Sequence, residues 1–235
     1  PPRQTFDPIS PPCIPFWDHE ADNGGATAKG VTPYEIRVAV VVEGGVHYVN
    51  GSDPTNRTAP RGKVYDLAQG QNQCLDETHD AGCVHLVTEG LRVWQHYFNQ
   101  RFQTYGRIVH VYAAFTSGSP GNATPERQRA DAAWIDETVD PFAVVSLLPE
   151  GADDHLIAGL NDLGVVAFAD RLLPSDATLS RLPGLAWNFG PSAEQAALVL
   201  RSRLVVEPVR DSRLAVVRFE DADPRIGGRR EVLRD

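Results

Sequence analysis

The chain has 235 residues, of which 42% are hydrophobic and 23% are charged. This balance is typical of a folded protein, and the length suffices for one large α/β domain or for one domain and the start of another. A formal net charge of −9 disfavours nucleic acid and anionic lipid as partners, because an acidic surface repels phosphate groups. No apolar run approaches the ~20 residues that span a bilayer, so we expect no direct membrane insertion.

The N-terminal region predicts an extended segment, and the cysteines favour an oxidising compartment. Residues 1–34 are rich in Pro, Gly and polar residues and predict an extended segment. Cys74 and Cys83 bracket a polar loop, which favours a disulfide between them in an oxidising compartment. Two free thiols in a cytosolic protein are the alternative. Cys13 then pairs with a cysteine beyond residue 235, or it replaces one partner of the short loop.

Taken in chain order, the first predicted element is a strand over residues 35–42. Its continuous β-branched run is typical of a strand buried on both faces of a sheet. Residues 43–73 resemble a long loop, whose unusual length predicts a functional insertion unless an element is hidden in it. A helix follows, with apolar residues from Val84 to Phe102 at spacings of three and four.

Strands and helices then alternate to the end of the chain. Thr124, Asp153 and the pair Ser192 and Gln195 predict the starts of three helices, because these side chains cap exposed amides. Further strands are predicted over 107–113, 142–147, 165–169, 185–189 and 213–219. Such alternation predicts an α/β fold with a doubly wound parallel sheet. Residues 224–235 look like another helix with no return strand, so we expect the natural protein to be longer.

Two stretches resemble a known family. Residues 22–32 (DNGGATAKGVT), followed by Ile36-Arg37-Val38, resemble the mature N-terminus of actinobacterial extracellular substrate-binding proteins. These belong to the type I periplasmic-binding family, the group of the branched-chain amino-acid binders. The second stretch, 185–217, is similar to the passage from the first lobe of that family to its second lobe.

The resemblance implies two Rossmann-like lobes that close on a ligand held between them. It implies that 35–190 form the first ligand-binding lobe, with an insertion at 43–73. Residues 191–235 would then hold the hinge, whose crossing lies near 189–192, and the start of a second lobe that is largely missing from this chain.

Candidate ligand-binding residues follow from a general rule for open parallel sheets. Ligands bind beyond the carboxyl ends of the strands, beside helix N-termini. This rule selects the loops at 43–46, 148–151 and 168–171, and the same loops hold ligand contacts in the family that the chain resembles. The candidate residues are Glu43, Gly44, Gly45, Glu150, Gly151, Phe168 and Asp170.

The acidic candidates indicate the class of ligand. In amino-acid binders of the family, small residues and hydroxyls at these loops meet a ligand carboxylate, and this chain has Glu150 and Asp170 there. A buried carboxylate would repel such a group. A cationic, neutral polar or aromatic ligand fits better, with Phe168 available to stack on it. The alternative is that both acids are solvated loop residues or helix caps.

The sequence gives only weak signals for metal binding or for catalysis. Residues 76–85 contain two Asp and two His, but their spacing matches no tight metal motif. Residues 117–121 (SGSPG) are not the G-x-S-x-G elbow of a serine hydrolase. We therefore predict no catalytic residue, no metal and no cofactor.

The function expected from the sequence is capture of a small molecule for an ABC-type transporter or a sensor, outside the cell. Its partners would be a small-molecule ligand together with membrane transporter subunits or a second polypeptide that completes the fold. The alternative is a non-enzymatic structural or interaction protein that reuses this scaffold in a larger extracellular assembly. A hydrolase or transferase on a flavodoxin-like sheet is a third reading, disfavoured because no nucleophile–base motif is found.

Overall fold

A computed structural model describes residues 15–18, 20–45, 47–48, 57–58, 60–68, 86–118, 124–149, 152–169, 174–182 and 184–206, with backbone alone for 47–48, 57–58, 86, 178 and 203–206. The elements in this part of the chain are β1 (Glu35–Val42), β2 (His47–Tyr48), β3 (Arg57–Thr58), β4 (Lys63–Asp66), α1 (Leu86–Arg101), β5 (Ile108–Phe115), α2 (Pro125–Val139), β6 (Ala143–Ser146), α3 (Asp154–Asp162), β7 (Val166–Ala169), α4 (Asp176–Leu179), β8 (Ala186–Asn188) and α5 (Ala193–Val206). None of these helices is both long and apolar enough to cross a bilayer.

Six strands form one mixed sheet in the order β4-β5-β1-β6-β7-β8. β1 pairs in parallel with both β5 and β6, and β7 and β8 extend the parallel set. The five parallel strands thus follow the flavodoxin-like order 2-1-3-4-5, in which strand order reverses beside the first strand. The prediction of an α/β fold is confirmed, but the sheet is mostly parallel where the sequence predicted a parallel one, because β4 pairs antiparallel.

β1 is the centre of the hydrophobic core. Its side chains alternate between the two faces of the sheet. Ala39 and Val41 pack in the cluster that includes residues of α2 and α3, whereas Val40 and Val42 pack in the cluster under α1. Each fully buried aliphatic side chain contributes about 1.5–3 kcal/mol, so a strand buried on both faces stabilises both layers together.

The backbone groups on the outer edge of β5 are satisfied in two ways, by a short strand and by side chains of α1. β4 pairs antiparallel with the C-terminal half of β5. Beyond β4, the Asn99 side chain of α1 accepts from the N–H of Val109 at 2.7 Å and donates to its carbonyl at 2.8 Å. The Gln95 Oε1 accepts from the N–H of Val111 at 2.5 Å. Side-chain amides therefore replace a neighbouring strand and satisfy the backbone groups of this edge.

The described part of the N-terminal segment is held against the sheet. The buried Arg107 guanidinium donates to the carbonyl oxygens of Asn23, Gly25 and Thr32 at 2.6–2.8 Å. Gly30 has a φ of +67°, and a Cβ there would lie 1.9 Å from the backbone nitrogen of Phe142. The stretch 22–32 therefore has a packing role at the start of β1, away from the carboxyl ends of the strands.

Two predictions about elements are wrong. Residues 63–66 form β4, so the stretch 43–73 is not purely a loop and the sheet is not wholly parallel. A four-residue antiparallel edge strand is too short to stand out from polar surroundings. At α3, the Asp153 side chain makes no cap hydrogen bond. Gln128 of α2 accepts instead from the N–H groups of His155 and Leu156.

A charged cluster joins three strands on the α2 side of the sheet. His110 on β5 lies between two carboxylates, with Nδ1 2.7 Å from Glu35 Oε2 and Nε2 2.6 Å from Asp66 Oδ1. Both ring nitrogens can donate only when the imidazole is protonated. Burial opposes the charge, but the hydrogen bonds to Asp66 and Glu35 outweigh it, so the pKa of His110 is raised above 6.5.

We expect His110 to make stability depend on pH. Because its folded-state pKa is raised, its contribution is complete below the unfolded value near 6.5 and is lost as pH rises through the folded value. The variant His110→Phe keeps a ring against Tyr112 but cannot donate. It should lower the free energy of unfolding by about 1–3 kcal/mol at low pH, with a smaller deficit in alkali. Urea unfolding across pH measures this difference.

His96→Phe, at an exposed position of α1, serves as the matched control and should leave the pH dependence of unfolding unchanged. A deficit of His110→Phe that is constant across pH would show that the imidazolium does not hold the cluster.

Hydrogen exchange should report the closure of the β5 edge. Asn99→Ala should expose the amide of Val109 and speed its exchange, because its acceptor is removed. Gln95→Ala should do the same for Val111 alone. Gln100→Ala, at an exposed position of the same helix, should change neither amide. Unaltered protection of Val109 in Asn99→Ala would mean that another group covers this edge.

Candidate functional site

Two of the three predicted loops meet at one edge of the sheet. β1 ends before Glu43 and β6 ends before Leu147, and these strands are parallel neighbours. The strand order reverses beside β1, so the connections leave the sheet in opposite directions and a crevice opens between them. Glu43 and Leu148 both line this crevice.

The crevice lies between the sheet edge and the first turns of two helices. The cavity itself is small, about 20 Å³, and its mouth opens to solvent. β5 contributes the residues that follow it, Thr116 and Gly118. The remaining lining residues come from α2, from α3 and from the turn before α3; they are Arg127, Gln128, Asp131, Ala152 and Leu156.

Close backbone packing sets the position of Glu43. The N–H of Gly44 donates to the Thr116 hydroxyl at 3.0 Å, and the N–H of Thr116 donates to the carbonyl of Val42 at 3.0 Å. A Cβ at Gly44 would lie 2.0 Å from the carbonyl oxygen of Thr116. Glycine is therefore required there, because any side chain would push the loop after β1 away from β5.

Gly45 makes a second tight turn in the same loop. Its φ is +75°, in the left-handed region that favours glycine. A Cβ there would lie 2.2 Å from Nε of Arg61, so this guanidinium lies directly against the turn. Gly44 and Gly45 thus shape the loop that carries Glu43 and do not line the crevice themselves.

Several polar groups of the crevice already have partners. The buried Asp131 accepts from the N–H of Ser117, with both oxygens 3.3 Å from the nitrogen. The Gln128 carbonyl accepts from the first amides of α3, at 2.8 Å from the nitrogen of His155. The Thr124 hydroxyl accepts from the N–H of Arg127 at 3.4 Å. The amides of Arg127, His155 and Leu156, near the starts of α2 and α3, are therefore bonded within the protein.

Glu43 differs from these groups. Its carboxylate is half-buried and forms no hydrogen bond or ion pair with any other described residue. Burial raises the pKa of Glu43 above its usual value of 4.5, because desolvation disfavours the charged form. The crevice thus contains a carboxylate that has given up water without gaining a partner.

Of the predicted site residues that remain, Phe168 is described and lies away from the crevice. Phe168 on β7 stacks on Phe189, with ring centroids 5.1 Å apart, and does not line the crevice. Glu150, Gly151 and Asp170 lie outside the described residues, so their part in a site stays a prediction. The same holds for Cys13, Cys74 and Cys83 and for the acids and histidines of 76–85. Within the described ranges, no group of three His, Cys, Asp or Glu side chains is arranged so that it could hold a metal ion.

Sequence reasoning missed the contribution of α2. Arg127, Gln128 and Asp131 lie in the first two turns of the helix that follows β5. The capping signal at Thr124 placed this helix start correctly, and parallel neighbours bring such starts to the same sheet edge. The strand order was needed to bring α2 beside Glu43, and a single sequence does not specify that order.

Comparison of the chain with protein-family models gave no match. Neither curated proteins nor solved structures matched it. A function for this chain must therefore be inferred from its own residues and geometry.

Proposed function

We propose that the chain is the first ligand-binding lobe of an extracellular solute-binding protein, which captures a small polar, cationic or aromatic molecule without transforming it. The observation that carries this proposal is the crevice at the reversal of strand order, where Glu43 faces a space with no partner of its own. Small molecules bind preferentially at such switch points in open α/β sheets.

The packing of α5 supports a second lobe beyond this one. The contacts that tie α5 to the described chain are at its first turn, where the N–H of Ala193 donates to Pro174 O and Glu194 accepts from the N–H of Asp176. Further along α5, Leu198 and Leu200 are 62% and 58% exposed. A helix whose apolar residues are this exposed is typical of one that packs on a further unit.

The hinge that we propose near residues 189–192 lies just before this helix. Ligand bound in the crevice would contact both lobes only when they close, and this difference in affinity would drive closure. We propose that the closed form is read by an ABC-type transporter or a sensor.

A thermal-shift screen tests the proposal. We expect one class among amino acids, amines, sugars and aromatic acids to raise the Tm in proportion to the logarithm of its concentration. At a hundred times the Kd, linkage predicts about 2.7 kcal/mol, or roughly 5–10 °C for a chain of this size. The lining variant Ala152→Arg, at a half-buried position in the turn before α3, should abolish the shift, whereas Val93→Arg on exposed α1 should not.

Three outcomes contradict the proposal. A shift that survives Ala152→Arg would place the ligand outside the crevice. A broad library without any hit would favour an interaction role, and a hit that is chemically converted would identify an enzyme.

One observation favours the second candidate, a structural or interaction protein. On the α1 side of the sheet, the face formed by β7 and β8 exposes Trp187 and Phe189 by 60% and 62%, next to the half-buried Phe168. Contiguous exposed aromatics of this kind are typical of interaction surfaces. Here they suit a second polypeptide that completes the fold.

Dye binding tests whether this aromatic face is uncovered, as the second candidate requires. We expect the chain to enhance the fluorescence of anilinonaphthalene sulfonate, because an uncovered aromatic face binds apolar dyes. The double variant Trp187→Ser and Phe189→Ser should lose most of this signal, whereas Val93→Ser should keep it. Equal signals in all three would mean that the face is covered.

A further inference from the structure

We infer that the ligand of the crevice carries a cationic group, an ammonium or guanidinium, which forms an ion pair with the Glu43 carboxylate. This inference rests on the proposed function, because it assigns the ligand class of the same crevice.

The first step is the inventory of hydrogen-bonding groups around the crevice. Asp131 receives the N–H of Ser117, and Gln128 receives two amides of α3. The Thr116 hydroxyl receives the N–H of Gly44. Among the described acids of the lining, Glu43 alone keeps its full accepting capacity for a ligand.

The second step concerns anions. A helix N-terminus binds an anion through its free amides, but the first amides of α3 donate to Gln128 and the N–H of Arg127 donates to Thr124. The Arg127 side chain is the remaining cation of the lining, and it is exposed. An ion pair at an exposed site is weak because water screens it. A carboxylate ligand therefore gains little here.

The third step concerns the environment of Glu43. Its half-buried carboxylate has lost hydration, and burial raises its pKa. An ion pair strengthens as water is excluded. A cation that enters the crevice would therefore replace the favourable interactions with water that the Glu43 carboxylate has lost. The charged groups that line the crevice with Glu43 are Asp131 and Arg127.

A matched set of probes tests the charge requirement. Amide chemical shifts of the full chain are followed while n-butylammonium, n-butanol or butyrate is added at constant ionic strength. We expect only n-butylammonium to shift the amides of Gly44, Thr116 and Leu148. Glu43→Gln should weaken that binding on the order of tenfold or more, the factor expected for a charge-assisted hydrogen bond.

Two variants control for other sources of binding. The chain has a net charge of −9 and attracts cations everywhere, so Glu126→Gln, at an exposed position near the crevice, tests the general acidity of the surface. Arg127→Gln tests the alternative that the ligand is an anion bound by this side chain. Glu126→Gln should not change n-butylammonium binding by more than about twofold, whereas Arg127→Gln should weaken only the binding of butyrate. Binding should also weaken as pH falls through the pKa of Glu43, because the protonated carboxyl carries no charge.

Folding does not confound this test. A raised carboxyl pKa means that the charged form of Glu43 costs stability above that pKa, so Glu43→Gln should leave the Tm of the free chain unchanged or slightly higher. A lowered Tm would show that Glu43 holds the fold, which would overturn its assignment as a ligand group.

The remaining outcomes separate this inference from the proposed function. Butyrate binding that depends on Arg127, or equal binding of all three probes, overturns the cationic ligand but keeps the crevice as a binding site. Equal weakening by Glu43→Gln and Glu126→Gln overturns it as well, since general surface charge would explain the binding. If no probe and no library compound perturbs the crevice, both proposals fall.

Discussion

The parallel pairing of β1 on both of its edges is the constraint on which the rest of the structure depends. β1 binds β5 along its whole length and β6 along half of it, and its side chains enter both cores. Because the chain continues from β1 to one side and later returns to the other, strand order reverses at this strand. The loop carrying Glu43 must therefore lie where the connections diverge.

Polar side chains satisfy the backbone groups at the β5 edge of this sheet where no further strand pairs with it. Beyond the short β4, the amides of Asn99 and Gln95 take the place of a neighbouring strand on β5. His110 ties β4 and β1 to β5 through two carboxylates on the face opposite α1. An unpaired strand edge invites association with other chains, so these side chains close the β5 side and leave β8 as the open edge of the described sheet.

The local elements of this fold were predictable, because their signals lie in neighbouring residues. The β-branched run at 35–42 marks β1 residue for residue. The hydroxyl of Thr124 and the reciprocal bonds of Ser192 and Gln195 mark two helix starts. Such side chains bond their own backbone within three residues, so no tertiary information is needed.

Features that depend on distant residues were not predictable. β4 is a strand because β5 is beside it, and nothing in Lys63–Asp66 alone distinguishes it from a loop. The start of α3 is capped by Gln128, 27 residues away from His155 in sequence, rather than by the adjacent Asp153. For the same reason Glu43 was predictable as a residue after a strand, whereas its neighbours Arg127 and Asp131 were not. The crevice forms because of the strand order, and strand order cannot be predicted from a single sequence.

The crevice and the exposed aromatic face of the described chain lie on opposite faces of the sheet. The crevice opens on the side of α2 and α3, where Glu43 lacks a partner. The exposed aromatic face of Trp187 and Phe189 lies on the side of α1, because Phe168 and Trp187 pair in register with Val145, which packs beneath α1. A small cation satisfies a single buried carboxylate, but only a large apolar surface covers stacked aromatic rings. A ligand and a completing polypeptide would therefore occupy separate sites, and loss of one need not abolish the other.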